Sequence, residues 1–476
     1  MGAPRPFLIA GRWRQSGTTC PVTNPYTGEA LAQVCQAGVS DVADAVHAAV
    51  SVAGAMRSMP AYARAAALNA IASRIDQRCE DFAQAITAEA GKPITDARRE
   101  VGRAIQTFSV AAEEAKRIPG EVVPLDWTPG SEQAVGMTRR VPIGPVLGIT
   151  PFNFPLNLVA HKVAPCLAAG NPMVLKPAPQ TPLTALLLGE VIASIDLPPG
   201  AFSVVPCDNA LAESLVRDDR FKLVSFTGSA AVGWKLKALC GKKRITLELG
   251  GNAGVIVEPD ADIELAATRC AMGGYAYAGQ TCISVQRVLV QEDAYERFVT
   301  EFLACVKGLA VGDPRDERTV IGPLINEAAA RRVEAWVQEA VGQGARLLAG
   351  GGRRGSVLAP VVLTDVTPRM NVSCQEVFGP VVTVNRYKRF DEALAAINDS
   401  DFGLQAGVFT QDVSKIFEAY RILDVGAVLA NEIPTWRADH MPYGGVKDSG
   451  LGREGVRYAI EDMTELKLLV LQLRRA

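Results

Sequence analysis

A cysteine set among small residues is the first group in this sequence that could do covalent chemistry. Cys282 lies in the run Gly-Gln-Thr-Cys-Ile-Ser at residues 279–284, directly after the glycine-rich residues 273–278. Small neighbours let backbone and ligand approach a thiol closely, and a thiolate is a strong nucleophile once its pKa is lowered or a base stands nearby. Most cysteines are small buried apolar residues instead, so the residues that accompany Cys282 decide between the two interpretations.

Three further stretches carry polar side chains that could assist such a nucleophile. Asn153 ends a strand-like run among prolines and aromatic residues, and its amide could donate to a developing oxyanion. Glu248 ends another run beside two glycines and could act as a general base, while Glu376 offers a second carboxylate before a Gly-Pro turn. Each of them alone is equally consistent with a structural role in a turn or at a strand edge.

A nucleotide site is indicated at the ends of two other strand-like runs, although no G-x-G-x-x-G fingerprint occurs within residues 142–248. Gly228 and Ser229 follow a strand and begin a helix, where free N–H groups suit a pyrophosphate. Lys176 ends a strand at the crevice where α/β sheets bind ligands, so it could hold ribose hydroxyls or a phosphate. A helix N-cap and a solvated lysine are the structural alternatives.

The elements that must position these residues alternate between short apolar runs and helical segments from Pro142 onward. Such alternation is typical of a parallel sheet covered by helices, that is, of an α/β fold. The predicted strands of the first series are residues 145–150, 173–176, 202–206 and 223–226. A second series follows residues 244–248, so the sequence predicts two α/β domains that meet near residue 250.

The remaining segments lie outside this alternation. Alanine-rich helical patterning covers residues 61–90 and 95–116. Residues 119–141 contain proline, glycine and alternating apolar residues, which indicates an extended excursion. Residues 463–472 are again strand-like, and we expect them to pair with that excursion.

The composition argues against several classes of protein. Of 476 residues 48% are apolar and 21% are charged, with a formal net charge of -2, so neither a nucleic-acid-binding nor a membrane surface is indicated. Ten scattered cysteines without a Cys-x-x-Cys pair and only three histidines argue against a disulfide framework and a metal site. They favour a reducing compartment, and with no signal-peptide pattern at the N-terminus we expect a cytoplasmic protein.

Taken together, the order and spacing of these motifs resemble the aldehyde dehydrogenase superfamily, from about Phe7 to the C-terminus. The closest branch contains lactaldehyde and non-phosphorylating glyceraldehyde-3-phosphate dehydrogenases. The resemblance implies three parts and a homodimer or homotetramer. These parts are a Rossmann-like NAD(P)-binding domain at residues 1–118 and 142–250, an α/β catalytic domain at residues 251–445, and oligomerisation (bridging) strands at residues 119–141 and 455–476.

The resemblance also implies a role for each site residue. Cys282 would attack an aldehyde to give a thiohemiacetal, Asn153 and the Cys282 backbone N–H would form the oxyanion hole, and Glu248 would activate the water that hydrolyses the resulting thioester. The residues expected to contact the NAD or NADP cofactor are Thr150, Pro151, Phe152, Lys176, Ala178, Pro179, Gly228, Ser229, Val232, Leu249, Glu376 and Phe378.

Pro179 bears on the choice between the two cofactors. Many NAD-preferring relatives have a glutamate three residues after the lysine that Lys176 matches, where it would repel a 2′-phosphate. Pro179 stands at that place. Because the repulsive group is missing, we expect both NAD and NADP to work.

The substrate is expected to be a short polar or anionic aldehyde. Residues 434–445 lie where the family shapes its aldehyde pocket, and an arginine there is more than a hydrophobic tunnel needs. The alternative is that the arginines pair with carboxylates such as Glu100 or Asp439, in an enzyme that oxidises neutral aldehydes broadly. The residues expected to contact substrate are Arg103, His161, Thr281, Ile283 and Arg437.

Two rival functions are compatible with the same fold. CoA-acylating relatives typically lack the general base, whereas this chain has Glu248. A non-catalytic binding protein would tolerate the loss of Cys282, Asn153 or Lys176, and all of them are present. The motif set therefore favours a hydrolytic dehydrogenase.

Overall fold

The N-terminal part of the chain is mainly helical, as its alanine-rich periodicity predicts. The computed structural model describes residues 3–473, so the first two and last three residues of the predicted domain ranges lie outside it. The predicted helical run 61–90 is two helices, because the backbone at Arg78 leaves the helical region (φ −117°, ψ 23°). The elements are β1 (Phe7–Ile9), β2 (Arg12–Arg14), β3 (Thr19–Thr23), β4 (Ala30–Cys35), α1 (Val39–Ser58), α2 (Ala61–Gln77), α3 (Cys79–Ala90), α4 (Ile94–Ala115), β5 (Val122–Pro124) and β6 (Ala134–Pro142).

A first sheet follows in the predicted strand–helix alternation. Its strands and helices are β7 (Val146–Ile149), α5 (Asn157–Ala169), β8 (Met173–Lys176), α6 (Pro182–Ala193), β9 (Phe202–Val204), α7 (Asn209–Arg217), β10 (Leu223–Thr227), α8 (Ala230–Leu239) and β11 (Arg244–Glu248). The five strands are parallel in the order β9-β8-β7-β10-β11. The chain therefore reverses its direction of winding between β7 and β10, and their carboxyl ends flank the crevice in which such sheets bind ligands.

The rest of the chain contains a second sheet and several strands that lie outside it. The elements of this part of the chain are β12 (Gly254–Val257), α9 (Ile263–Tyr275), a 3₁₀ helix (Ala276–Gly279), β13 (Arg287–Gln291), α10 (Glu292–Lys307), α11 (Glu327–Gly342), β14 (Arg346–Ala349), β15 (Arg353–Arg354), β16 (Val357–Leu358), β17 (Val361–Thr364), α12 (Asn371–Cys374), β18 (Val381–Tyr387), α13 (Phe390–Asn398), β19 (Phe402–Gly403), β20 (Gln405–Phe409), α14 (Val413–Ile422), β21 (Ala427–Ala430), β22 (Val446–Lys447), β23 (Gly450–Leu451), α15 (Val456–Asp462) and β24 (Thr464–Gln472). The second sheet has the strand order β14-β17-β18-β13-β12-β20-β21 and is parallel except for β14.

The two sheets are joined twice by the chain. Between β11 and β12 the backbone passes directly from the first sheet to the second. Much later β23 returns and pairs antiparallel with β11, Gly450 opposite Glu248. The C-terminal end of β11 is thus followed directly by the second sheet and is also paired with a strand from much later in the chain.

A third, three-stranded sheet stands apart from these two. β24 pairs antiparallel with β6 from Thr464 opposite Pro142 to Gln472 opposite Ala134, and β5 pairs with the other edge of β6. The predicted pairing of the C-terminal strand with the excursion is therefore confirmed. Apolar side chains of β24 lie exposed on it, namely Leu466, Leu468, Leu469, Val470 and Leu471. Among the described residues, no helix is both long and apolar enough to cross a membrane.

Helix α5 is the most enclosed helix beside the first sheet. Every residue from Asn157 to Ala169 is buried, including His161 and Lys162. A helix that is buried all round packs its apolar side chains on every side. Buried polar and charged groups need partners to offset their desolvation, and those partners lead to the site.

Candidate active site

One cavity of about 670 Å³ runs from the carboxyl ends of the first sheet to Cys282. Its walls include every residue predicted from the sequence to be catalytic or to contact the cofactor. These are Thr150, Pro151, Phe152, Asn153, Lys176, Ala178, Pro179, Gly228, Ser229, Val232, Glu248, Leu249, Cys282, Glu376 and Phe378. Motifs that lie more than 200 residues apart in the chain thus face a single space.

The backbone before Cys282 is bent sharply. Tyr277 and Ala278 adopt left-handed conformations (φ 51° and 54°), which are rare for residues other than glycine and cluster at functional sites. The Tyr277 hydroxyl donates to the carbonyl oxygen of Ala90 at 3.0 Å, which anchors the bend to α3. Cys282 therefore projects from a fixed turn between α9 and β13 rather than from a loose loop.

The Cys282 thiol has a hydroxyl as its close polar neighbour. Its Sγ lies 2.9 Å from the Oη of Tyr443. Although the side chain is partly exposed to the cavity, the surrounding protein raises the pKa of Cys282 to about 12, while the Tyr443 hydrogen bond lowers it. Nearby Glu376 and Glu248 raise the pKa further, and Arg437 lowers it.

Asn153 is brought to the cysteine turn directly after β7. Its Nδ2 donates to the carbonyl oxygen of Gln280 at 3.0 Å, and its Oδ1 is buried with no hydrogen-bond partner. The loop that carries Asn153 is held by Glu100, whose carboxylate accepts from the N–H groups of Leu156 and Asn157 at 2.9 and 3.1 Å. The side-chain amide of Asn153 is thereby held at the backbone of Gln280, which stands two residues before Cys282 in the chain.

Buried Lys92 supports the same loop. Its ammonium pairs with Glu100 and lies 3.5 Å from the centroid of the Phe154 ring. Both members of the ion pair are buried, so loss of one would leave an uncompensated charge. Glu100 is therefore engaged by Lys92 and not by Arg103 or Arg437.

Glu248 ends β11 with an unusual environment for a carboxylate. It is 4% exposed, and neither of its oxygens has a hydrogen-bond partner within residues 3–473. Burial raises the pKa of Glu248 well above its usual range, and Glu454 raises it further, while Arg437 and Lys162 lower it. A buried carboxylate with a raised pKa takes up a proton readily, which suits a general base.

Two glycines after Glu248 allow close approach from the second sheet. A side chain at Gly250 would collide with the carboxylate of Glu376, and one at Gly251 would collide with the backbone carbonyl of Cys282. The Gly251 N–H donates to Glu376 Oε1 at 3.1 Å. The Gly-Gly pair thus lets Glu248, Glu376 and Cys282 share one cavity.

A buried charge network adjoins Glu248. Glu454 lines the cavity and pairs with Lys162 at 3.5 Å and with Arg437 at 3.1 Å. Lys162 also donates to Ser225 Oγ at 3.0 Å. Burial opposes ionisation of Glu454, but Lys162 and Arg437 outweigh it and lower its pKa. The pKa values of these two neighbouring carboxylates are thus shifted in opposite directions. Glu454 favours the ionised form and Glu248 the protonated one.

The far end of the cavity fits a dinucleotide. Lys176, 5% exposed, ends β8, and the Thr227 hydroxyl at the end of β10 is buried without a partner among the described residues. Ser229 is the N-cap residue of α8, and no side chain within residues 3–473 caps the first N–H groups of the helix, which leaves its positive end open to an anion. Phe378, with a left-handed φ of 47°, packs edge-on against Phe152 at 5.8 Å.

The five predicted substrate contacts do not line this cavity. Ile283 packs in a small apolar cluster with Tyr443 and Leu404, and Thr281 is the residue before the nucleophile. Arg103, His161 and Arg437 are held instead in hydrogen bonds described next. Their role as substrate contacts therefore stays a prediction.

Two of these residues, Arg103 and His161, pair with the carboxylate of Asp439. Its carboxylate accepts from Arg103 Nε and Nη2 at 3.1 and 2.8 Å, from Asn157 Nδ2 at 3.1 Å and pairs with His161 Nε2 at 2.9 Å. Burial opposes ionisation of Asp439, but the hydrogen bonds from His161 and Arg103 outweigh it and lower the pKa. The expected alternative, pairing of Arg103 with Asp439, is thus what the structure contains.

Arg103 and Arg437 differ in their exposure and in which of their guanidinium nitrogens are already paired. The side chain of Arg103 is 32% exposed, and its Nη1 has no hydrogen bond within residues 3–473. The side chain of Arg437 is 6% exposed, pairs with Glu454, and lies over the Tyr443 ring with Cζ 3.7 Å from the centroid. Arg437 Nε is also without a partner among the described residues, but it is buried, so Arg103 is the arginine whose unpaired donor stands on a partly exposed side chain.

Two functional residues were missed from the sequence. Tyr443 stands in the segment 434–445 that was singled out, but no local pattern marks it as the side chain that reaches Cys282. Glu454, in the run Gly-Leu-Gly-Arg-Glu-Gly, carries a carboxylate between glycines and could have been noticed for that reason. Within residues 3–473, no cluster of three or more His, Cys, Asp or Glu side chains could hold a metal ion.

Comparisons with known proteins agree with this geometry. Residues 13–469 match the model of the aldehyde dehydrogenase family. The chain is 44% identical over 468 residues to a 3-sulfolactaldehyde dehydrogenase of Priestia megaterium, covering 98% of both chains.

Two solved structures are similar to this chain along nearly its whole length. Aldehyde dehydrogenase 21 of Physcomitrella patens, in complex with the reaction product succinate, is 46% identical, with a TM-score of 0.96 and 99% of both chains covered. The NADP-dependent glyceraldehyde-3-phosphate dehydrogenase of Bacillus halodurans, complexed with NADP, is 34% identical, with a TM-score of 0.97 over 99% of this chain and 100% of that one. The predicted fold and family are confirmed: this chain belongs to the aldehyde dehydrogenase family.

Proposed function

We propose that the enzyme oxidises a short anionic aldehyde to its carboxylate, with NAD or NADP as the oxidant and Cys282 as the nucleophile. One observation carries the proposal. The Cys282 thiol, the Asn153 amide and a Glu248 carboxylate with no hydrogen-bond partner face one cavity. That cavity continues to the Lys176 and Ser229 end, where a dinucleotide fits.

The residues perform the reaction in two stages. Cys282 first loses its thiol proton to solvent, and the thiolate sulfur forms a bond to the aldehyde carbon. The carbonyl electron pair moves to oxygen, where Asn153 Nδ2 and the Cys282 N–H donate to it. The bound cofactor supplies a hydride acceptor. Glu248 then takes a proton from water as the water attacks the thioester, which releases the acid and the Cys282 thiolate.

Either cofactor is compatible with the residues near Lys176. Pro179 and Gln180 line the cavity three and four residues after the lysine, and neither is anionic. Glu213 lines the same end, but its carboxylate is paired with Lys235. A 2′-phosphate therefore meets no unpaired carboxylate there.

The substrate class rests on Arg103 and on the relatives. The 3-sulfolactaldehyde dehydrogenase and the succinate complex described above both involve short molecules with an anionic end. The guanidinium of Arg103 is partly exposed and has one nitrogen without a partner among the described residues, which suits a sulfonate or carboxylate. We therefore expect sulfolactaldehyde or succinate semialdehyde to be preferred over neutral aldehydes.

The test is kcat/KM for 3-sulfolactaldehyde, succinate semialdehyde, lactaldehyde and propanal, with NAD and with NADP. One anionic aldehyde should exceed propanal by about 100-fold, or about 2.7 kcal/mol of transition-state binding, and the cofactors should differ by less than about 100-fold. Acid should form without CoA, which separates a hydrolytic from a CoA-acylating enzyme. Equal rates for neutral aldehydes would make it a broad aldehyde oxidiser.

We also propose the domain division and cellular setting predicted above, with residues 1–118 and 142–250 binding the cofactor and residues 251–445 carrying the nucleophile. The passage from the first sheet to the second between β11 and β12 agrees with that boundary. All ten cysteines are free thiols. That state favours a reducing compartment such as the cytoplasm.

A homo-oligomer formed through the third sheet is the remaining part of the proposal. β24 is an edge strand within the described residues, and five apolar side chains on it are between 40% and 58% exposed. Long apolar edge strands are templates for pairing with another chain. Light scattering should return the mass of two or four protomers, and Leu466→Asp with Leu468→Asp should reduce it. A monomeric wild-type enzyme would contradict this part.

A further inference from the structure

Tyr443 stands against the reacting atom of the enzyme. Its Oη lies 2.9 Å from Cys282 Sγ, and both residues line the cavity. Tyr443 is 3% exposed, and within the described part of the chain Cys282 is the one hydrogen-bond partner of its hydroxyl. A buried phenol with a single polar neighbour directs its hydroxyl to that neighbour.

The tyrosine is fixed from two sides. Its backbone N–H donates to the carbonyl oxygen of Glu454 at 3.0 Å, and its carbonyl oxygen accepts from the Glu454 N–H at 2.6 Å. The Arg437 guanidinium covers its ring at 3.7 Å and donates to the Glu454 side chain at 3.1 Å. Neither the ring nor the hydroxyl can turn away without breaking these contacts.

The charged groups that face Cys282 make a thiolate costly. Glu376 and Glu248 line the same cavity and disfavour a negative sulfur. Arg437 favours it, but within the described residues its guanidinium hydrogen-bonds to Glu454 and His161 and not to the sulfur. Among the described residues no lysine or histidine makes a hydrogen bond to Sγ. The hydroxyl is therefore the group placed to stabilise the ionised sulfur directly.

We propose that Tyr443 is a further catalytic residue, whose hydroxyl donates a hydrogen bond to the Cys282 thiolate before attack and again when that sulfur leaves the thioester. The inference rests on the proposed function for its role in turnover. While Cys282 is a thiol either group can donate, but once it is a thiolate only the hydroxyl has a proton to share.

The tyrosine keeps its proton in both stages. In the first, the sulfur lone pair forms the S–C bond, and the hydrogen bond from Tyr443 weakens as the charge moves to the carbonyl oxygen. In the second, the C–S bond of the hydrolysing adduct breaks, the electron pair returns to sulfur, and the hydrogen bond strengthens again. No proton is transferred, so Tyr443 can act in each turnover without being regenerated.

The test titrates Cys282 in the absence of any aldehyde. Iodoacetamide alkylation of Cys282, followed by peptide mass spectrometry over a pH series, reports its thiolate fraction, and exposed Cys79 is an internal reference. Tyr443→Phe keeps the ring beneath Arg437 and removes the hydroxyl alone. We expect the pH profile of Cys282 to move up by about one unit and alkylation at fixed pH to slow about tenfold, while Cys79 is unchanged.

A matched control and an opposite perturbation complete the test. Tyr275→Phe removes another buried hydroxyl, one that donates to the Val361 carbonyl at 2.8 Å, and should leave the Cys282 profile unmoved. A fluorinated tyrosine at position 443, with a more acidic hydroxyl, should move the profile down. Unchanged profiles in both Tyr443 variants, or an equal shift in Tyr275→Phe, would overturn the inference.

Failure of this inference and failure of the proposed function are distinguishable. Alkylation needs no aldehyde turnover, so a shifted Cys282 profile in an enzyme that oxidises none of the four aldehydes would uphold the hydrogen bond and refute the function. If the enzyme oxidises the aldehydes but the Tyr443 substitutions leave the Cys282 pH profile unshifted, the function is upheld and the hydrogen bond is refuted.

Discussion

Replacing Glu248 by glutamine will leave one equivalent of NAD(P)H formed rapidly per active site and slow every later turnover by about a thousandfold, within the range of general-base catalysis. Glutamine is close to glutamate in size, and among the described residues neither carboxylate oxygen has a hydrogen-bond partner that the substitution would remove. It cannot take a proton from water. The thiohemiacetal and its oxidation need no base at this position, so the thioester accumulates on Cys282.

Stopped-flow absorbance of NAD(P)H measures the burst and the steady rate together. Hydroxylamine provides the control, because it attacks a thioester without a general base and should restore turnover of the variant. In the wild-type enzyme the hydrolytic step should quicken as pH rises past the ordinary carboxylate range, since burial raises the pKa of Glu248 and only the ionised form is a base. A variant that produces no burst would contradict the assignment and put Glu248 before hydride transfer.

Replacing Arg103 by alanine should lower kcat/KM for sulfolactaldehyde and succinate semialdehyde by about 100-fold and change that for propanal by less than about threefold, a difference of about 2.7 kcal/mol. Arg103 has a nitrogen left over after pairing with Asp439, and its side chain is 32% exposed. A guanidinium already oriented by a carboxylate loses little further freedom when it binds an anion. Initial rates with the four aldehydes check the expectation.

Arg99 offers a matched control on the same helix. It lies one turn before Arg103 in α4, is 71% exposed, and pairs with Asp96. Arg99→Ala removes the same charge and should affect all aldehydes alike. Equal losses for anionic and neutral aldehydes in Arg103→Ala would show that Arg103 serves only to hold Asp439, and the substrate would then have to be recognised elsewhere.

Much of the first sheet was predictable because its signals are local. Each strand from β7 to β10 is a short, mainly apolar run, and residues that line the cavity stand where strands of this sheet end, as with Thr150, Lys176 and Glu248. Parallel strands bring their carboxyl ends to one edge. Knowing the ends of the strands was therefore enough to expect those side chains together.

What could not be predicted depends on contacts across the length of the chain. Tyr443 meets Cys282 across 161 residues and Asp439 meets Asn157 across 282, and nothing near any of them signals the partner. The two-residue strand β23 has no periodicity of its own, yet it completes the first sheet. The break between α2 and α3 falls at Arg78, where neither glycine nor proline marks it.

The return of β23 to β11 has a meaning for the order in which the protein is made. Asn153 and Glu248 leave the ribosome before Cys282, and Tyr443, Gly450 and Glu454 follow more than 150 residues after Cys282. Until those later residues are made, Glu248 lacks the strand beside it and Cys282 lacks its hydroxyl neighbour. A nascent chain therefore carries these groups apart from one another, and the site is assembled only after Glu454 has been translated.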